Sequence, residues 1–171
     1  MNKKKIIIIS SIAAAVIAAV VVTIVLLTTV FGGNKEDSSG KFTVTIGSAE
    51  TKAESIVKVP VTVSGNPGFT ASLVNITFDG KVLEYMGYEK GEVISDYEFV
   101  PADNSVSILH SEAELKDTNK NGTMYTLKFR VVGKAGDESK VELKIPDDGG
   151  FINLEEQDVV PEIKNGTVTV K

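Results

Sequence analysis

The 171-residue chain has no cysteine, no tryptophan and a single histidine, His110. Without cysteine there is no disulfide framework, no thiolate nucleophile and no thiolate metal site, so an exported domain built from this chain must stand on packing alone. Without tryptophan, the ring that sugar-binding platforms prefer is missing. Positive charge is scarce too. Lys and Arg number 18 against 23 Asp and Glu, and over residues 41–171 the balance is 14 against 21, a difference of −7. Such an acidic surface disfavours phosphate backbones, and no nucleic-acid function is expected. His110, Ser111 and Glu112 are adjacent, but successive residues of a strand point to opposite faces, so Ser111 cannot bond His110 as nucleophile to base. By alternation His110 shares a face with Val106 and Ile108 and belongs in the core or at its edge. No Gly-rich phosphate loop, paired His ligands or nucleophile elbow appears, and no enzyme activity is expected.

What is present begins with "MNKKK", followed by a run from Ile6 to Phe31 without one charge. A bilayer core takes ~20 apolar residues as helix, so this run spans it with some tilt. Secretory h-regions are usually ~7–15 residues and end at a small-x-small site. The run here is longer, and Val30-Phe31-Gly32 is a poor cleavage site, so an uncleaved anchor is expected, with a cleaved signal peptide as the alternative. Lys3, Lys4 and Lys5 predict a cytoplasmic N-terminus and an exported C-terminal domain. The expected order is a cytoplasmic basic tip (1–5), a single-pass transmembrane helix (6–31), a flexible polar linker (32–40) and one domain (41–171) of ordinary size for a single core.

From Phe42 onward, period-2 alternation recurs between turn signals. "FTVTI", "VKVPVTV", "SLVNITF", "YTLKFRV", "VELKI" and "TVTV" each put apolar residues on one face, and Pro60 predicts an edge position or a bulge. Turns fall at Asn66-Pro67-Gly68, Asp79-Gly80, Asn121-Gly122, Gly133 to Gly136, Gly149-Gly150 and Asn165-Gly166. No helical stripe follows the anchor. Many short strands at this spacing predict an antiparallel sandwich or jelly roll. The stretch from Asp117 to Phe129 imitates a calcium loop, with Asp117, Asn119 and Asn121 as alternating oxygen donors and Gly122 at the turn. The twelfth position, however, is Lys128 where a bidentate Glu belongs, and the residues after Gly122 alternate as a strand. An Asn-Gly turn entering a strand is expected, with no metal.

At Gly68 to Gly91 the chain resembles a cohesin domain: Asp79-Gly80 ends a strand, Val82-Leu83-Glu84 begins the next, and Lys90-Gly91 closes it. "VPADNSVSILHSEAE", "NGTMYTLKFRVVGKAG", Gly149 to Phe151 and the closing "NGTVTVK" follow in family order, so the resemblance covers essentially all of 41–171. It implies an all-β, nine-stranded jelly-roll sandwich that binds dockerins, the small calcium-loaded modules of cellulosome or amylosome enzymes. The chain itself then takes no cofactor, calcium belonging to the partner, and a monomer is expected. The resemblance further implies a flat recognition face on the third, fifth, sixth and eighth strands. Carried over by position, this face offers Ala71, Leu73, Asn75 and Thr77, then Glu98 and Val100, then Ser107, Leu109 and Ser111 with Glu112 at the end. Ala71 and Leu73 replace an Asn and an Asp of well-known cohesins, and Glu156 stands in the eighth-strand region where an apolar residue is often seen. The implied role is a non-catalytic surface module tethering polysaccharide-degrading enzymes or scaffoldins to the bacterial membrane.

Two other readings use the same fold. A carbohydrate-binding module or adhesin would need Tyr85, Tyr88 and Tyr97 exposed as a platform, where core or rim packing is the alternative. A stalk would be short, with one sandwich on so brief a tether. Asn75, Asn121 and Asn165 head glycosylation sequons, two of which are Asn-Gly turns, and are expected to be unmodified. The anchor has a direct check. The intact chain should sediment with membranes, resist carbonate extraction and lose its C-terminal domain to protease added to spheroplasts; a mature N-terminus near Gly33 by mass spectrometry would overturn it.

Overall fold

The computed structural model describes residues 40–94, 96–111 and 117–171. The expected anchor at 6–31, nearly all of the linker at 32–40, and Glu112 lie outside the described residues. Nine strands have four residues or more: β1 Thr43–Ile46, β3 Ile56–Ser64, β4 Ala71–Thr77, β5 Leu83–Lys90, β6 Glu98–Ala102, β7 Ser105–Ser111, β8 Gly122–Val131, β9 Glu138–Lys144 and β12 Gly166–Val170. Three more have three residues each: β2 Ala49–Thr51, β10 Gly150–Ile152 and β11 Glu162–Lys164. The resemblance implies nine strands, and twelve are present among the described residues. A three-residue strand is too short to set up a visible period-2 pattern, so these extra ones leave no trace in the sequence.

The strands form two sheets, in the orders β11-β1-β3-β8-β5 and β2-β12-β9-β4-β7-β6, with β10 added beside β4. All the ladders are antiparallel except β1 with β11 and β2 with β12. The chain changes sheets between β1 and β2. There Gly47 donates its N–H to the Pro60 carbonyl at 2.8 Å, and a Cβ at Gly47 would stand 2.9 Å from the Pro60 ring. Pro60 is therefore inside β3, not on an edge strand, at the point where its neighbour β1 departs. The bulge that a proline predicts lies one residue on: the β3–β8 register shifts between Val61 and Thr62, which leaves Met124 as the extra residue of β8. This is why Met124 and Tyr125 are both buried although adjacent.

Both sheets turn their apolar faces inward. Val57, Val59, Val61 and Val63 of β3 face Val74 and Ile76 of β4 and Val106 and Ile108 of β7 across one shared core. His110 joins it at 2% exposure, with Nδ1 2.8 Å from the Asp96 carbonyl and its ring near Phe69 and Tyr97. It is a core histidine, as the alternation requires.

Aromatic rings fill the side of the core that β5, β6 and β8 border. Tyr125 meets Tyr97 and Phe99 edge-on, with centroids 5.0 and 5.4 Å apart. The hydroxyls of Tyr85, Tyr97 and Tyr125 are buried without a hydrogen-bond partner among the described residues. Burial, with smaller repulsion from Tyr88, pushes the Tyr85 hydroxyl up to about 12. Burial raises Tyr97 and Tyr125 as well, aided by Tyr125 and Tyr85 respectively. In the unfolded chain these phenols ionise near pH ~10, while the fold keeps their protons. Their contribution is therefore complete below pH ~10 and is lost as pH rises through the folded values. Urea titrations should show stability falling steeply above pH ~10. Tyr125→Phe should flatten that fall at little cost near neutrality, because the hydroxyl it removes bonds to nothing. An unchanged alkaline slope would count against this.

Candidate docking face

The outer face of the second sheet follows from the same alternation. Because Ser72, Val74 and Ile76 of β4 and Val106, Ile108 and His110 of β7 point inward, the residues between them point out. Register then aligns the outward residues in rows. Ala71 lies opposite Ser111, Leu73 opposite Leu109, Asn75 opposite Ser107, and Thr77 opposite Ser105. On the far side of β7, Glu98 of β6 faces Leu109 and Val100 faces Ser107. Every described residue that the resemblance assigns to the recognition face thus falls on one surface. Glu112 is beyond the described residues.

The centre of this surface is apolar and low. Leu109 is 43% and Val100 54% exposed, Leu73 is half-buried beside Leu109, and the surrounding outward positions on β4 and β7 are Ala, Ser, Thr or Asn. On the other side of β4, the first half of the strand pairs with β10, and Gly150 stands opposite Leu73, adding no side chain there. The second half pairs with β9, where Lys144 and Glu142 align with Asn75 and Thr77 and bridge each other at 3.1 Å. The Gly149-Gly150 turn is a requirement of that switch. A Cβ on Gly149 would come within 2.7 Å of the Leu73 carbonyl, and Gly150 has φ +132°.

The eighth-strand expectation needs correcting. Glu156 lies on no strand; it occupies a turn after β10 at φ +60°, where its N–H donates to the Asn153 carbonyl. Sequence reasoning also missed Ile152 of β10, 37% exposed opposite Ala71, and Leu154 just beyond it at 49%. These extend the apolar surface past the end of β4.

The tyrosines form no platform. Tyr88 stacks on Phe99 at 3.7 Å, Tyr85 packs edge-on against Phe129, and Tyr97 sits between Phe99, His110 and Tyr125. Two of the oxygens of the calcium-like stretch are engaged elsewhere. Asp117 Oδ1 accepts the Leu154 N–H at 2.8 Å, and Asn121 Oδ1 accepts the Asn66 N–H at 3.0 Å. Lys128 is in the middle of β8, opposite Lys58. Of the other sequons, Asn165 Oδ1 accepts the Leu143 N–H, and Asn75 stands on the docking face.

The cohesin domain model matches residues 42–170. Over 95 residues, 52% of this chain, the sequence is 28% identical to cellulose-binding protein A of Clostridium cellulovorans, and the match spans 5% of that protein's length. The sixth cohesin of scaffoldin B from Acetivibrio cellulolyticus, solved in complex with a Cel5 dockerin, superposes with a TM-score of 0.70 at 21% identity, covering 77% of this chain and 100% of that one. A non-cellulosomal cohesin from the hyperthermophilic archaeon Archaeoglobus fulgidus gives 0.67 at 19%, covering 77% and 92%. These structures establish likeness of fold.

The engagement of Asp117 and Asn121 has a measurable consequence. Calcium added to the isolated domain should leave its melting temperature unchanged, whereas Asp117→Ala should lower it modestly by freeing the Leu154 N–H. A saturable rise with calcium that Asp117→Ala abolishes would show the loop to be a metal site.

Proposed function

From the premise that the chain belongs to the cohesin domain family, we propose that its jelly-roll sandwich is a non-catalytic module that binds dockerins through the outward face of β4, β6 and β7. The observation that carries this reading is the direct pairing of Leu73 with Leu109 on a face whose two central strands bear no outward charge. An exposed apolar pair among small neighbours leaves a flat surface on which a helix pair can lie. Asn75, with Glu112 as the family resemblance assigns it, supplies polar contacts that fix orientation. A related cohesin solved with a dockerin on it supports the choice of partner. The packing of Tyr85, Tyr88 and Tyr97 into the sandwich speaks against the carbohydrate-binding alternative.

The module takes no metal of its own, and calcium belongs to the dockerin. The uncharged run Ile6–Phe31 behind three lysines is the reason to place it on the cell membrane, single-pass, with the sandwich outside. There, as a monomer, it holds dockerin-bearing scaffoldins or polysaccharide-degrading enzymes.

Burying one leucine against a partner contributes ~1.5–3 kcal/mol, about tenfold or more in affinity. Purified dockerin modules should be screened against the sandwich domain, and the tightest binder titrated against variants. Leu73→Ala and Leu109→Ala should each weaken binding by about tenfold or more and barely move the melting temperature. Val74→Ala, at 1% exposure, should do the reverse, lowering the melting temperature by cavity formation while the folded fraction binds normally. Chelating calcium should dissolve the complex and leave the sandwich folded. Normal binding by both leucine variants, or unfolding of both, would show that the face is wrongly assigned.

A further inference from the structure

Charge is unevenly placed on the docking face. Its centre, β4 and β7, carries none. On the β9 flank, Lys144 and Glu142 neutralise each other at 3.1 Å. On the β6 flank, Glu98 is exposed, directly opposite Leu109, and makes no ion pair among the described residues. Directly paired residues of neighbouring strands have Cβ atoms ~5 Å apart, so a partner that covers Leu109 also covers Glu98. Stripping water from a lone carboxylate is unfavourable unless the partner replaces that water with a charge or with donors.

Resting on the dockerin reading, we propose that Glu98 selects the partner by charge. The dockerin this face accepts carries a Lys or Arg against β6, about one strand spacing, ~5 Å, from the residue that covers Leu109. A dockerin with a neutral residue at that place leaves a buried carboxylate unpaired, and one with an acid adds repulsion; both are discriminated against by the penalty and not by lost attraction. The domain's surplus of seven acids over residues 41–171 works in the same direction, drawing a basic surface in and raising the association rate at low salt.

The test uses the tightest-binding dockerin from the screen, calcium-loaded, titrated at about 0.05 M and about 0.5 M salt. Glu98→Gln should weaken binding about three- to tenfold at low salt, and the difference should shrink at high salt. Glu98→Lys should weaken it further and should be rescued when one Lys or Arg of the dockerin is reversed to Glu. Neither variant should move the melting temperature. If both bind like the parent while Leu109→Ala still fails, the face stands and the role of Glu98 is overturned. A salt-independent loss that no reversal rescues overturns it equally, because it would mark Glu98 as merely structural. If no dockerin binds the parent domain at all, the dockerin reading falls, and the charge selection falls with it.

Discussion

The pairing of β4 with β7 sets both sides of the second sheet at once. Val74 against Ile108 and Ile76 against Val106 face the core, and the residues between them, Leu73 against Leu109 and Asn75 against Ser107, make the outer surface. Side chains alternate with a period of two, so a slip of one residue would turn the core set outward and bury the docking set. Core packing thus specifies the surface. The cost of exposing Val74, Ile76, Val106 and Ile108 holds the two leucines side by side in water. Neither leucine needs a local reason to be where it is.

Loops at the end of the sandwich near Gly68 present a different problem, because no cysteine is available to staple them. The amide of Asn66 takes that role. Its Nδ2 donates to the carbonyls of Thr118 and Lys120, its Oδ1 accepts the Gly68 N–H, and its backbone N–H reaches Asn121 Oδ1. Asp117 adds a bond to the Leu154 N–H. Segments more than fifty residues apart are held by hydrogen bonds that satisfy backbone groups at the same time. The stretch resembling a calcium loop is therefore rich in oxygen donors for an internal reason: those oxygens bind the chain itself.

The difference between what the sequence revealed and what it hid follows from range. Alternation is a local signal, so the long strands, the inward His110 and the outward row from Ala71 to Thr77 could all be read from a few neighbouring residues. β10 could not, having only Phe151 to point inward, and the exposed Ile152 went unseen with it. Of the edge position or bulge that Pro60 predicts, the bulge is present and the edge is not, because the tolerance of proline in β3 depends on where β1 leaves the sheet, a fact of topology. Glu156 was assigned by position in a family pattern to a strand region, but the chain there turns at a positive φ. Asp117 and Asn121 looked like ligands because their partners, Leu154 and Asn66, are 37 and 55 residues away.

One further consequence concerns mechanical load. β1 is an interior strand, bonded to β11 on one side and to β3 on the other, with the parallel ladder running Thr43 to Glu162 and onward and the antiparallel one Thr43 to Ser64. A pull along β1 from its N-terminal end cannot open these ladders one rung at a time, as peeling a hairpin does. It loads both in shear together, so tension arriving along the chain ahead of Thr43 is met at the first strand by two ladders at once.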